Sequence, residues 1–239
     1  MRPTRAASGP GPSGNVNDGG KGIVISLSTG RPRRIALLAA HCDDIAIGAG
    51  GSLLTLCGAN PGVQVDALVL TGGGTPREDE EHAALAAFCP GAQLRVTVGK
   101  LPDGRLPAHW EEAKAAVEEL RSRTDPELIF APNTLDAHQD HRGLAELVPQ
   151  VFRDHLALGY EIVKWDGDLG RPAVYQPLAD EIAEAKVRLL HEHYPSQRER
   201  PWYDREAFFG LARIRGIECK ARYAEAFHVN KLTLDLAGG

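Results

Sequence analysis

Ile35-Ala-Leu-Leu-Ala-Ala40 is a short, unbroken apolar run, the pattern of a strand covered on both faces. After it, apolar runs alternate with amphipathic stretches. Residues 48–57 read as a helix opening on small side chains. Residues 63–70 read as a second strand, closed by Thr71-Gly72-Gly73-Gly74. Thr75, Pro76 and Glu78 form the start signature of the next helix, a capping box with proline at the first helical position. That helix ends before Cys89-Pro90. Residues 94–98 give a third strand, 108–123 a helix, and 128–131 a fourth strand stopped at Pro132. Asp136, with Gln139 three residues on, begins a helix running to about Phe152. Strands over 160–165 and 173–176, helices over 178–193 and 205–219, and a strand over 223–229 complete the series.

This alternation predicts a single α/β domain over residues 23–239, with a Rossmann-like, doubly wound and mostly parallel sheet. Residues 1–22 are Gly, Pro, Ser and Asn with little to bury, the composition of a disordered tail. In such sheets ligands bind outside the strands' C-terminal ends, where strand order reverses.

Charge narrows the partners. The net charge is −5, but residues 1–34 hold six Lys/Arg against one Asp, which leaves the rest near −10 (21 basic against 31 acidic side chains). An acidic domain is a poor partner for nucleic acid. No run approaches the ~20 apolar residues of a membrane helix, and no apolar stretch follows the two N-terminal arginines as a signal peptide requires. Four scattered cysteines without a Cys-x-x-Cys fit reduced thiols in the cytoplasm. A homo-oligomer is compatible with all of this.

Two clusters carry the chemistry. His41-Cys42-Asp43-Asp44 ends the first strand, and His138-Gln139-Asp140-His141 follows the fourth. Both fall at strand C-terminal ends, so the fold is expected to bring them together. Catalytic zinc sites use three His or Asp/Glu ligands and keep one position open. His41 and Asp44 are three apart, as are His138 and His141, and neither pair need supply two ligands. If His41, Asp44 and His141 bind a metal, Asp43 and His138 remain free. Asp43 could then serve as general base and His138 could stabilise an oxyanion or protonate a leaving amine. Asp140 would orient an imidazole.

In these residues the chain resembles the PIG-L/LmbE-like metal-dependent N-acetylglucosaminyl deacetylases. Ala40-His41-Cys42-Asp43-Asp44-Ile45, followed by Gly48-Ala49-Gly50-Gly51, is similar to the family's Ala-His-Pro-Asp-Asp-Glu motif. His138-Gln139-Asp140-His141 is similar to its His-x-Asp-His. Arg77-Glu-Asp-Glu80, Pro102-Asp103-Gly104-Arg105-Leu106, His193-Tyr-Pro-Ser196-Gln197 and Tyr223-Ala-Glu225-Ala-Phe227 follow in the family's order. The resemblance implies His41, Asp44 and His141 as metal ligands, Asp43 as base and His138 as support for the tetrahedral intermediate. It implies Arg77 as a contact to the sugar or its aglycone. The implied metal is Zn2+, with Fe2+ or Co2+ as substitutes. Cys42 replaces the usual Pro and Ile45 the usual Glu.

Trp165, Trp202 and Tyr203 are candidates for a sugar-stacking wall, and His193 for lining the pocket, because loops carry recognition. The expected function is removal of an N-acetyl or other N-acyl group from a small amino-sugar conjugate, in bacterial cofactor or secondary-metabolite biosynthesis. Two alternatives stand beside it: a non-catalytic sugar- or nucleotide-binding module on the same fold, and a two-His-one-carboxylate iron oxygenase.

Overall fold

A computed structural model describes residues 27–234. The expected tail, residues 1–22, lies outside the described residues. The unit that begins at Arg31 carries the fold.

Seven strands form one sheet: β1 (Arg34–Ala39), β2 (Gln64–Thr71), β3 (Gln93–Leu101), β4 (Leu128–Pro132), β5 (Leu156–Tyr160), β6 (Val174–Leu178) and β7 (Tyr223–His228). Six α-helices connect them: α1 (Asp44–Ala59), α2 (Pro76–Phe88), α3 (Trp110–Arg123), α4 (Gln139–Val151), α5 (Asp180–His193) and α6 (Arg205–Glu218). The strand order is β3-β2-β1-β4-β5-β7-β6. The pairs from β3 to β5 are parallel, and β7 runs antiparallel between β5 and β6. The sheet is doubly wound and mostly parallel, as expected. Strand order reverses between β1 and β4, so the ends of these two strands flank the crevice where such folds place ligands.

Alternation along β1 builds the two cores. Ile35, Leu37 and Ala39 pack with α1, α2, α5 and the α6 side chain Phe208 on one face. Ala36, Leu38 and Ala40 pack with α3 and α4 on the other. α1 is seated unusually close to the sheet. A Cβ at Gly48 would lie 2.5 Å from the ring of Tyr160, whose hydroxyl donates to the Leu38 carbonyl at 2.7 Å. Among the described residues no helix is long and apolar enough to cross a membrane.

Three boundaries differ from the expectation. α1 begins at Asp44 and not at Gly48, so the first acidic cluster includes a helix start. The strand expected over 160–165 lies at Leu156–Tyr160. Leu156, Leu158 and Tyr160 pair with β4 directly after α4 ends, and Lys164 and Asp168 instead hold a loop. Leu178 closes β6, and α5 starts two residues later.

Candidate metal centre and its surroundings

The turn from β1 into α1 places the first cluster. Asp44 is buried, and its Oδ2 accepts the backbone N–H groups of Ala40 (3.1 Å) and His41 (2.8 Å). This ties the carboxylate to the strand end and leaves Oδ1 aimed at His141 Nε2, 3.3 Å away. The second cluster comes from the start of α4. His138 is its N-cap, accepting the Asp140 N–H at its Nδ1 (3.3 Å), and His141 is buried in the first turn.

The strand ends bring the two clusters together. His41 Nδ1 lies 3.0 Å from His141 Nε2 and 3.6 Å from Asp44 Oδ2. With metal–ligand bonds of ~2.0–2.1 Å, the edge of a tetrahedron is ~3.4 Å, so these separations suit three ligands of one ion. The far ring nitrogens are engaged by carboxylates. His41 Nε2 lies 3.1 Å from Asp140 and 3.0 Å from Asp103, and His141 Nδ1 lies 2.9 Å from Asp136. With the ring N–H groups given to those carboxylates, the neutral imidazoles present lone pairs at His41 Nδ1 and His141 Nε2, beside the Asp44 carboxylate. Donors this close need a proton or a cation among them, and one divalent ion can satisfy all three at once. The residues present therefore fit a divalent metal.

Without an ion, the surrounding carboxylates draw protons onto both imidazoles. Burial opposes charging His141, but Asp44 and Asp136 outweigh it and raise its pKa to about 9. His41 is likewise raised against its own burial by Asp44, Asp103 and Asp140. Asp44 is held low by His141 and His41 despite its burial.

Asp43 and His138 lie beside the triangle. The nitrogens of His41, His138 and His141 fall within 4.8 Å of one another. His138 accepts at Nδ1, so in its neutral form Nε2 carries the proton. Burial, with His141 and His41, lowers its pKa and keeps it neutral. Asp43 has a left-handed backbone (φ 96°), and its carboxylate sits 3.1 Å from Arg77. Burial raises the Asp43 pKa to about 7 against the pull of Arg77. Its neighbour Cys42 is turned away toward the Thr71 carbonyl, and burial pushes its thiol up, so it is a poor metal ligand here.

The expected substrate residues divide. Arg77 is in the site, donating to the Cys42 carbonyl and pairing with Asp43. Tyr203 is only 1% exposed and donates to the Leu190 carbonyl, so it belongs to the core and not to a sugar wall. The turns Gln197 N–H to Tyr194 and Tyr203 N–H to Arg200 fold this segment back onto α5, tucking the ring inward. Trp202 is half-buried and packs edge-on against Tyr203. His193 ends α5, half-buried, and no hydrogen bond among the described residues joins it to the cluster. Trp165 is 68% exposed, on the loop that Lys164 anchors.

Four residues were missed as site residues. In the sequence Asp136 is a helix-start acid, yet in the fold it lies 2.9 Å from His141 Nδ1 and accepts from Lys164 at 3.0 Å. Asp103 faces His41. Lys164 bridges Asp136 and Asp168. Glu81 accepts the Asp43 N–H. Asp140 Oδ2 lies 3.1 Å from His41 Nε2, and its carboxylate accepts the N–H groups of Gly104 and Leu106.

Residues 36–152 match the family model of GlcNAc-PI de-N-acetylase, PIG-L. An uncharacterized deacetylase of Escherichia coli K12, YaiS, is 25% identical over 189 residues, covering 71% of this chain and 95% of the relative. The N,N'-diacetylchitobiose deacetylase of Pyrococcus horikoshii superposes with a TM-score of 0.64 at 19% identity, covering 83% of this chain and 84% of its own. GalB of Pseudomonas putida KT2440, a 4-carboxy-2-hydroxymuconate hydratase, superposes at 0.63 and 15% identity, covering 86% of this chain and 100% of its own. At these identities the structural likeness is one of fold.

Proposed function

Since the chain belongs to the PIG-L family, we propose that it is a zinc-dependent hydrolase. In this reading it removes an N-acetyl or other N-acyl group from an amino sugar or glycoconjugate, in bacterial cofactor or secondary-metabolite biosynthesis. The observation that carries it is the convergence of His41 Nδ1, His141 Nε2 and the Asp44 carboxylate, with Asp43 and His138 beside them.

His41, Asp44 and His141 would hold the zinc ion. Bound there, zinc would polarise the amide carbonyl and make a water acidic enough to ionise near neutral pH. Asp43 takes the proton from the attacking water. A pKa near neutrality suits a group that must accept a proton and later return it. His138 offers its Nε2–H to the oxygen that becomes negative as the carbonyl carbon turns tetrahedral. Asp43 then gives the proton to the departing nitrogen. The C–N bond breaks and leaves acetate and a free amine. Arg77 keeps the Asp43 carboxylate in place and contributes positive charge beside it.

The iron oxygenase uses the same ligand types, but such enzymes usually sit on β-barrels, whereas this sheet is doubly wound. A panel of N-acetyl amino-sugar conjugates including N,N'-diacetylchitobiose, with free-amine detection, tests the proposal. Metal-free protein, zinc-reloaded protein and Asp43→Ala are compared. Amine release that needs zinc and Asp43, and that continues without oxygen, supports it. No amine release from any conjugate counts against it, and water addition to an unsaturated acid would place the chain with the hydratase.

A further inference from the structure

Glu81 is fully buried on α2, one turn beyond Arg77. It shares the inward face of that helix with Ala84, Leu85 and Phe88, positions where an apolar residue would be expected. Its Oε2 accepts two bonds, from the Asp43 N–H at 2.8 Å and from the Tyr194 hydroxyl at 2.8 Å. Its Oε1 is buried with no partner among the described residues. A carboxyl group in such a place is costly, and burial raises its pKa to about 8. Packing alone does not account for it.

The amide it holds is unusual. Asp43 precedes α1 and has a φ of 96°, a region that residues with side chains rarely adopt. Such a conformation persists only where its surroundings over-determine it. Here α2 grips the turn at three points: Arg77 on the Cys42 carbonyl, Arg77 on the Asp43 carboxylate, and Glu81 on the Asp43 N–H. Tyr194, at the end of α5, braces the last of these.

We propose that Glu81, braced by Tyr194, is a positioning residue for the hydrolytic step: it fixes the left-handed backbone of residue 43 and thereby the direction of the Asp43 carboxylate. The inference rests on Asp43 being the base of the proposed deacetylase.

The test uses the zinc-loaded full chain and the best substrate of the conjugate panel. Glu81→Ala is expected to lower kcat by ~10–100-fold, the scale of a misplaced reacting group, with KM and bound zinc unchanged. Glu81→Gln, whose carbonyl still accepts the amide, recovers most of that loss. Hydrogen exchange at the Asp43 amide, followed by NMR, speeds up in Glu81→Ala and stays slow in Glu81→Gln. In an Asp43→Ala background, Glu81→Ala costs nothing further. Wild-type kcat in Glu81→Ala, an amide still protected in it, or a full additional loss in the Asp43→Ala background would each overturn the proposal. If Glu81→Ala does not fold, Tyr194→Phe decides: faster exchange with a several-fold lower kcat supports the proposal, and no change in both overturns it. Should Asp43→Ala keep wild-type turnover, the deacetylase mechanism fails first, and the exchange measurement alone then judges the clamp.

Discussion

His41 Nδ1 lies 3.0 Å from His141 Nε2, although a hundred residues separate them in the chain. Two ring nitrogens that close, each with its other nitrogen beside a carboxylate, could seat one ion. Extensive dialysis against a chelator should abolish amine release, and one equivalent of zinc should restore it. Metal analysis should give about one ion per chain in the native protein and far less in His41→Ala and His141→Ala. Full activity in metal-free protein would refute this.

Asp136 should control metal affinity without touching the metal. Asp136→Asn weakens the acceptor for His141 Nδ1 and loosens the Lys164 contact. The expected result is ~10–100-fold weaker zinc binding, read by competition with a chromogenic chelator. Turnover at saturating zinc should fall much less.

If Asp43 is the base, Arg77 should set the pH at which it works. Its guanidinium holds the Asp43 pKa down against burial. Arg77→Met removes that pull, so the acid limb of kcat against pH should move to higher pH. Arg77→Lys keeps the charge and should move it less. An unshifted limb would dissociate Arg77 from the base.

Glu81 makes stability depend on pH. Its folded pKa, about 8, stands above the ordinary 4.5, so the folded state holds the proton more tightly than the unfolded chain does. Its contribution is full below pH 4.5, declines as pH rises between these values, and is gone above about 8. The slope is on the order of 1 kcal/mol per pH unit, visible in denaturant melts from pH 5 to 8. Glu81→Gln should flatten that portion of the curve.

Tyr203 should matter to folding and not to substrate. Tyr203→Phe removes one of two donors to the Leu190 carbonyl, leaving the Tyr194 N–H, and should cost no more than about 1 kcal/mol, while KM changes less than twofold. A large KM increase would restore it to the recognition surface.

The two histidine clusters were legible because each stands out against the end of an apolar strand, and the alternation of elements forecast that both would meet at one sheet edge. Their supporting groups were harder to see. Glu81 sits in the run Glu78-Asp79-Glu80-Glu81, which reads as a solvated helix face. The usable signal was its spacing from Ala84, Leu85 and Phe88, a helical stripe into which a charge intrudes. Asp136 looked like a cap because its Oδ1 does accept the His138 N–H; its second oxygen does the other task. Tyr160-Glu-Ile-Val163 is as strand-like as Leu156–Tyr160, so pairing with β4, invisible in one sequence, decided which segment entered the sheet. Tyr203 was misjudged because an aromatic in a polar loop says nothing about which way the loop folds.

At Gly48 the tolerance of packing becomes the tolerance of chemistry. The Tyr160 ring leaves no room there for even one methyl group. A side chain at this position would lever the first helix off the sheet, and Asp44 rides on that helix four residues upstream. A displacement that an ordinary structural helix would absorb would here pull the Asp44 carboxylate away from the two imidazoles it lies 3.3 and 3.6 Å from. Loss of cation, with the polypeptide still folded, is the failure to look for first.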